Sequence, residues 1–211
     1  MSGQVSIRVL HVDDEPGFAA LTADFLKRED GRFTVETARS ASEGVEHLSH
    51  DDFDCIVSDY DMPGQNGIEF LKSVRRKYPD LPFVLFTGKG SEEIAGEAIS
   101  AGVTDYLKKK SGANQYTVLA NRLRNAVQRY RAEKERKRQR DAIETAQEGI
   151  SILNEDGEYI YVNQAYADIY GYEPDEITGE DWELTCPDGE TAIVQDEIMS
   201  TVAADGDWSG E

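Results

Sequence analysis

The sequence has no lysine or arginine after Arg140, and it contains only two cysteines, Cys55 and Cys186. Two cysteines are too few for a disulfide-stabilised scaffold and are typical of a reducing compartment. No apolar stretch approaches the roughly 18 residues that suggest a transmembrane helix. The N-terminus also lacks a basic segment followed by an apolar one, which argues against a secretory signal peptide. These absences predict a cytoplasmic chain without a membrane span.

The charged residues are distributed unevenly along the 211 residues, whose net charge is −20. Residues 1–121 carry a net charge of −7, residues 122–140 carry +7, and residues 141–211 carry −20. We therefore predict two acidic bodies joined by a basic connector. The overall negative charge disfavours binding of the whole protein to nucleic acid or anionic lipid. Such a surplus of carboxylates also suggests a halophilic protein, because concentrated ions screen self-repulsion.

Apolar, strand-like runs alternate with helical stretches in the first body. The run SIRVLHV at 6–12, for example, is followed by a helix from Pro16, a residue that suits a first helical turn. This alternation predicts an α/β fold with a five-stranded, doubly wound parallel sheet and helices on both faces. Ligands of such sheets bind beyond the carboxyl ends of the strands. The other strand-like runs are 33–38, 53–58, 81–86 and 103–107, and the other helical stretches are 41–49, 66–77, 91–101 and 115 onward.

Polar side chains follow the predicted strands at that edge of the sheet. Asp13 and Asp14 follow the first strand, Asp59 the third, Thr87 the fourth and Lys109 the fifth. Carboxylates that lie close together repel one another unless a cation neutralises them. Oxygen ligands of this kind suit Mg²⁺, which takes one or two carboxylates and keeps several waters. A lysine and a hydroxyl beside them would hold phosphoryl oxygens, so these residues predict a combined metal and phosphate site.

Residues 5–121 resemble the receiver domain of two-component response regulators, the CheY-like proteins with a flavodoxin-like fold. The resemblance covers the whole first body, with its motifs in the family's order and spacing. The motifs are HVDDEP at 11–16, VSDYDMPGQNG at 57–67, LFTGKG at 85–90 and AGVTDYLKK at 101–109.

The resemblance implies a phosphoacceptor site that depends on a metal ion. Asp59 matches the aspartate that attacks a phosphohistidine and becomes an acyl phosphate. Asp13 and Asp14 match the acidic pair that, with Asp59, positions Mg²⁺ (or Mn²⁺). The backbone carbonyl of Asp61 is a further expected ligand.

The resemblance also implies a phosphate contact and a conformational switch. Lys109 matches the lysine that contacts the phosphoryl oxygens, and counting from Ala101 favours it within the run of lysines at 108–110. Thr87 and Tyr106 match a coupled pair in which the hydroxyl moves toward the phosphate and the ring turns inward. The sequence departs from the family at Lys110, where proline usually follows the conserved lysine.

A basic helical linker is predicted at 122–147, where the sequence is rich in Lys and Arg. Just before and within it, apolar residues keep three- and four-residue spacing, which fits either a dimer seam or a face packed on the sheet. These residues are Leu119, Leu123, Ala126 and Tyr130. The linker has no DNA-reading motif or interleaved aromatic residues, so nucleic-acid binding by it is not expected. Homodimerisation through the linker and the second body remains open.

The second body, 148–211, resembles the N-terminal part of a PAS sensor domain. Two apolar strands flank the Asp156-Gly157 turn, which is a strong hairpin signal. A short helix ends near Gly171, and Asn163 matches a structural position at its start. The end of the sequence, 206–211, resembles the approach to a third strand, so we predict a partial α+β domain. Either the chain is a fragment of a longer protein, which we favour, or the PAS domain itself is truncated. No PAS ligand is predictable.

These observations predict phosphorelay signal transduction. The domains would be a receiver (1–121), the linker (122–147) and the partial PAS domain (148–211). A partner histidine kinase or phosphotransfer protein would phosphorylate Asp59, and the receiver would switch conformation to regulate the PAS or output module. We expect no turnover beyond self-phosphorylation and dephosphorylation of the receiver. Two alternatives remain open: the front of a hybrid sensor histidine kinase, and a regulator with a downstream DNA-binding domain.

Overall fold

A computed structural model describes residues 5–88 and 91–186 of the chain. The chain divides into two compact units between Lys134 and Glu135. The first contains a five-stranded sheet, and the second contains a two-stranded hairpin with short helices. Across the described residues, no helix combines the length and the apolar character needed to span a membrane. The domain limits at 121 and 147 stay predictions.

The first unit is built on a parallel sheet with the strand order β2-β1-β3-β4-β5. Because β1 pairs with both β2 and β3, the winding direction reverses at β1. The predicted five-stranded α/β fold is therefore confirmed. The strands are β1 (Ile7–Val12), β2 (Phe33–Ala38), β3 (Cys55–Ser58), β4 (Phe83–Thr87) and β5 (Asp105–Lys108), and the helices are α1 (Pro16–Glu29), α2 (Ala41–His50), α3 (Gly67–Lys77), α4 (Glu92–Ser100) and α5 (Asn114–Glu144).

Two hydrophobic cores lie on the two faces of this sheet. One joins the sheet to α2, α3 and α4, with Phe70 and Leu85 fully buried in it. The other joins the sheet to α1 and α5, with Leu26 and Phe86 buried in it. The central strands β3 and β4 are buried along their whole length. Strands covered on both faces read as continuous apolar runs, which is why the sequence predicted them well.

Helix α3 begins with a complete capping box directly after the loop that follows β3. The Asn66 side-chain oxygen accepts hydrogen bonds from the backbone N–H groups of Ile68 and Glu69, at 3.0 and 2.9 Å. The Glu69 carboxylate accepts in return from the Asn66 backbone N–H. These bonds satisfy helix N–H groups that would otherwise lack partners. They fix the start of α3, and thereby the far end of the Asp59 loop.

Helix α5 packs one apolar face on the sheet. Leu119 and Leu123 are fully buried within the core shared with α1, and Val127 extends the same face. Of the two open interpretations of this spacing, packing on the sheet is the one observed at Leu119 and Leu123. These two side chains are therefore not available for a dimer seam. Ala126 and Tyr130 are partly buried.

Arg131 joins α5 to the opposite edge of the sheet from the predicted phosphate site. Its guanidinium donates to both carboxylate oxygens of Asp54, at 2.9 and 2.7 Å. Asp54 also accepts a 2.8 Å hydrogen bond from the backbone N–H of Arg8 in β1. A planar guanidinium bound to both carboxylate oxygens fixes geometry better than a single ion pair does. This contact fixes the position of α5 against the first unit at Arg131.

The second unit contains an antiparallel hairpin, β6 (Ser151–Leu153) and β7 (Tyr159–Val162). Gly157 closes the predicted turn with a φ of +88°, a conformation that favours glycine. The helices α6 (Gln164–Tyr170) and α7 (Pro174–Ile177) follow, and a 3₁₀ turn spans Trp182–Thr185.

Asn163 is a fully buried structural residue of the second unit. Its side-chain oxygen accepts from the backbone N–H groups of Ile150 and Tyr166, at 2.8 and 2.9 Å. Its amide nitrogen donates to the carbonyls of Ile143 and Glu148, each at 3.0 Å. These bonds agree with the structural role expected for it. The expected third strand at 206–211 lies outside the described residues.

Candidate active site

Four strand ends bring the predicted site residues to one edge of the sheet. Val12 and Ser58 are paired at the ends of the neighbouring strands β1 and β3, so Asp13 and Asp59 follow side by side. Thr87 ends β4 and is paired with Lys108 of β5, which places Lys109 one residue beyond the sheet. The winding reversal lies between these elements, where ligands bind in open α/β sheets.

Backbone hydrogen bonds continue the sheet pattern through the site residues. The Asp59 N–H donates to the carbonyl of Val12 at 2.8 Å, and the Asp13 N–H donates to that of Ala38 at 3.0 Å. The Lys109 N–H donates to the carbonyl of Thr87 at 2.7 Å. These hydrogen bonds hold the backbone of the three residues as an extension of the sheet, so the Cα positions from which their side chains project are fixed.

The Lys109 ammonium lies between two buried carboxylates. Its Nζ is 2.8 Å from Asp13 Oδ2 and 3.0 Å from Asp59 Oδ1. The Asp13 side chain is fully inaccessible, and that of Asp59 is 9% exposed. Burial lowers the pKa of Lys109, but the hydrogen bond to Asp13 and the charges of Asp13 and Asp59 outweigh it and raise the pKa above its ordinary value. The lysine is therefore cationic at neutral pH.

The two carboxylate oxygens of Asp59 have different neighbours. Its Oδ2 accepts a 3.1 Å hydrogen bond from the backbone N–H of Asp61. Its buried Oδ1 is ion-paired with Lys109, but among the described residues no group donates a well-directed hydrogen bond to it. Oδ1 is therefore the oxygen that lies beside a cation, and that cation could also neutralise an anionic group brought to this site.

The donor set fits a hard divalent cation. Asp13 and Asp59 both form an ion pair with Lys109, so their carboxylates face the same point. Asp59 Oδ1 is buried and accepts no directed hydrogen bond from the described residues. Two carboxylates plus waters are a usual set for Mg²⁺. Asp14 is partly exposed, and in residues 5–88 and 91–186 no three acidic, His or Cys side chains are gathered tightly enough to bind a metal by themselves. The predicted ligand roles of Asp14 and of the Asp61 carbonyl stay predictions.

The predicted switch residues lie on the neighbouring strands β4 and β5. Thr87 is fully buried, and Tyr106 is partly exposed at the edge of the core formed with α2, α3 and α4. Tyr106 is paired with Leu85, two residues before Thr87. Paired residues of parallel strands share a face, and residues two apart along a strand also share it. Tyr106 and Thr87 are therefore diagonal neighbours on one face of the sheet.

The geometry selects one lysine from the run at 108–110. Lys109 contacts the carboxylates, whereas Lys108 and Lys110 are exposed. The backbone N–H of Lys110, a group that proline lacks, donates a 2.9 Å hydrogen bond to Gln115 Oε1. The departure from the family's usual proline thus adds a bond between this loop and the start of α5.

Two neighbours of the site were not predicted from the sequence. An added Cβ at Gly67 would lie 2.2 Å from the backbone oxygen of Asp59, so only glycine fits there. The ring centroid of Phe18 lies 4.1 Å from Lys109 Nζ. Gly67 belongs to the motif at 57–67, but its close approach to Asp59 is visible only in the tertiary structure. His11, inside β1, is fully buried, and burial lowers its pKa to about 4.

A doubly wound parallel sheet with two carboxylates and a lysine at the C-terminal ends of its strands is the arrangement of a receiver-type phosphoacceptor fold. Comparison with known families agrees, and the chain belongs to the response regulator receiver domain family, whose model matches residues 9–121. A PAS domain model matches residues 137–203. Receivers of this family typically bind Mg²⁺ at the phosphorylation site and interact with histidine kinases or phosphotransfer proteins. The chain thus contains a receiver of the two-component phosphorelay type followed by a PAS region.

Similar proteins are known from archaea and bacteria. The bacterioopsin transcriptional activator of Halobacterium salinarum is 29% identical over 196 residues, covering 84% of this chain and 28% of that protein. The C4-dicarboxylate transport transcriptional regulatory protein DctD of Rhizobium meliloti is 33% identical over 123 residues, covering 58% and 26%. The chain thus spans about a quarter of the length of these relatives.

Solved structures of receivers show the same fold. The chemotaxis response regulator CheY4 of Vibrio cholerae superposes with a TM-score of 0.52 at 30% identity, covering 56% of this chain and 99% of that one. A receiver domain protein of Clostridium thermocellum superposes with a TM-score of 0.54 at 25% identity, covering 60% and 98%. These matches confirm the predicted fold class.

Proposed function

We propose that Asp59 is the phosphoacceptor of this receiver. Its Oδ1 attacks the phosphorus of a phosphohistidine on a partner histidine kinase or phosphotransfer protein. An O–P bond forms as the N–P bond breaks, and the leaving imidazole keeps the electron pair and takes up a proton. The observation that carries this proposal is the pairing of Asp59 Oδ1 with Lys109 Nζ at 3.0 Å, with no directed hydrogen bond to that oxygen among the described residues.

The neighbouring side chains have distinct roles in this reaction. Lys109 holds the equatorial oxygens of the phosphoryl group as their charge develops, and the Thr87 hydroxyl contacts another of them once it moves toward the phosphate. Asp13, Asp14 and Asp59, with the Asp61 carbonyl, would hold Mg²⁺ (or Mn²⁺). The metal would supply positive charge that neutralises the crowded carboxylates and the phosphoryl group.

Phosphorylation then changes the conformation of the receiver. Movement of Thr87 would open space into which Tyr106 turns, since the two lie on one face of adjoining strands. A ligand or modification shifts such an equilibrium only through contacts that differ between the two states. We assign residues 1–121 to the receiver, 122–147 to the linker and 148–211 to the PAS region that the switch regulates.

The output of the whole protein is a separate part of the proposal. Two relatives are called a transcriptional activator and a transcriptional regulatory protein, which favours a regulator with a further output domain over a hybrid kinase. We propose a cytoplasmic location for it. The linker helix and the PAS region are the surfaces that we propose for homodimerisation. Receiver phosphorylation would act on that assembly, with no nucleic-acid contact from the linker itself.

Removal of the metal tests the proposed chemistry. The full chain is incubated with radiolabelled acetyl phosphate and Mg²⁺, and the protein-bound phosphoryl group is measured as acid-stable and base-labile label. We expect near-stoichiometric labelling with Mg²⁺ and a loss of at least about tenfold after chelation with EDTA, because the carboxylates and the phosphoryl group then repel one another. Readdition of Mg²⁺ should restore labelling. Equal labelling with and without EDTA would contradict the metal-dependent site.

A further inference from the structure

Phe18 presents the face of its ring to the lysine of the proposed phosphoacceptor site. Lys109 Nζ lies 4.1 Å from the ring centroid, well inside the distance of about 6 Å at which an ammonium is attracted by an aromatic quadrupole. The ring is half-buried and the Lys109 side chain is only 16% exposed, so solvent screens this attraction weakly. The contact is therefore of the stronger, partly desolvated kind.

The Phe18 ring is fixed in place from two directions. On one side, it packs against Phe86 and Tyr116, with ring centroids 5.7 and 6.4 Å away. On the other, the first turn of α1 is tied to the site, because the Phe18 N–H donates to the Glu15 carbonyl and the Glu15 N–H donates to Asp13 Oδ1, both at 3.0 Å. The ring position is thus set by the same carboxylate that binds Lys109.

Within residues 5–88 and 91–186, the Lys109 ammonium contacts two carboxylates and the Phe18 ring, and the proposed reaction uses both carboxylates but not the ring. Asp59 becomes an acyl phosphate, and Asp13 is a proposed ligand of the metal. Mg²⁺ bound to the two carboxylates would weaken their attraction for Lys109 before the phosphoryl group arrives, whereas the ring does not bind Mg²⁺ and is not modified. A neutral ring also adds no negative charge to a site where a further carboxylate would repel the phosphoryl group.

We propose that Phe18 is a positioning residue that holds Lys109 at the phosphoryl group through a cation–π contact. This inference rests on the proposed function, because it takes Lys109 as the lysine that contacts the phosphoryl oxygens. Phe18 itself does not touch the reacting atoms. Its effect is to keep the ammonium at the site when the carboxylates are engaged elsewhere.

Three variants separate the cation–π contact from simple packing. Phe18→Leu keeps an apolar side chain but removes the ring, and Phe18→Tyr keeps a ring face. Phe25→Leu is the matched control, since Phe25 lies on the same helix and stacks on Tyr116 at 4.3 Å, away from Lys109. The full chain and each variant are labelled with acetyl phosphate at saturating Mg²⁺, and initial rates are compared.

We expect Phe18→Leu to label about tenfold more slowly, and Phe18→Tyr and Phe25→Leu to label within about twofold of the wild-type rate. A readout independent of labelling is the NMR shift of the Lys109 Cε protons in the unphosphorylated, metal-free chain. The ring current should move them upfield in the wild type and in Phe18→Tyr, and this shift should vanish in Phe18→Leu.

A wild-type rate in Phe18→Leu would overturn the inference. Equal slowing of Phe18→Leu and Phe25→Leu, or no recovery in Phe18→Tyr, would also overturn it, because the loss would then come from packing. Failure of the proposed function looks different, since the wild-type chain itself would not be labelled. In that case the upfield shift would still be seen, but it would show a structural contact without the proposed role.

Discussion

Replacement of Asp59 by asparagine is expected to abolish phosphoryl labelling of the chain. The amide nitrogen or oxygen of asparagine cannot form an acyl phosphate, and the second carboxylate of the proposed metal site is lost at the same time. The substitution is nearly isosteric and removes the ion pair with Lys109, but Lys109 keeps its 2.8 Å hydrogen bond to Asp13, so the fold should be kept. We expect the label to fall at least about a hundredfold, measured by acid-stable incorporation from acetyl phosphate.

Asp61→Asn is the matched control for that variant. Asp61 lies two residues away in the same loop, and its side chain is exposed. The role proposed for Asp61 uses its backbone carbonyl, and its backbone N–H donates to Asp59. Both groups are kept in the variant, so labelling should stay within a few-fold of wild type. Full labelling of Asp59→Asn, or a loss in Asp61→Asn as large as that in Asp59→Asn, would refute the assignment.

Replacement of Gly67 by alanine is expected to loosen the site and to destabilise the first unit. The added Cβ would lie 2.2 Å from the Asp59 carbonyl oxygen and 3.0 Å from Leu85 Cδ2. Neither the backbone of Asp59 nor the start of α3 is free to move, because Gly67 N–H donates to the Tyr60 carbonyl and Asn66 caps the helix. Overpacking of this kind costs about 1–3 kcal/mol or more.

Amide hydrogen exchange, read by mass spectrometry, is the measurement for this variant. Exchange reports on peptides of β3 and β4 separately. Tryptophan fluorescence would not report on the first unit, because Trp182 and Trp208 both follow it in the sequence. We expect faster exchange in β3 and β4 and slower phosphorylation. Gly17→Ala is the control, because nothing lies within 4 Å of its added Cβ and alanine favours the helix. Equal protection in Gly67→Ala and wild type would contradict the steric account.

The sequence alone was sufficient for the fold of the first unit. The residues at 55–57 are apolar because β3 is covered on both faces, and such strands stand out from the amphipathic helices between them. Asp13, Asp59 and Lys109 could be placed at one edge because parallel strands end on the same side. Asp14 was predicted on equal terms with Asp13, but it is partly exposed while Asp13 is buried.

The remaining features depend on distances that no local pattern encodes. The spacing of Leu119 and Leu123 shows that α5 has an apolar face, but it does not show whether a second chain or the sheet covers that face. Phe18 lies near the start of α1, and its contact with Lys109 joins residues far apart in sequence. Gly67 is required because of a carbonyl eight residues earlier in the chain.

The central claim is that Asp59 carries the phosphoryl group, and tandem mass spectrometry of the labelled chain tests it most directly. The wild-type chain is phosphorylated with acetyl phosphate and Mg²⁺, digested at acidic pH to preserve the acyl phosphate, and fragmented. The account predicts one phosphoryl group, located on Asp59 within the peptide that spans β3 and the start of α3. A phosphoryl group located instead on Asp13, Asp14 or a histidine would contradict it.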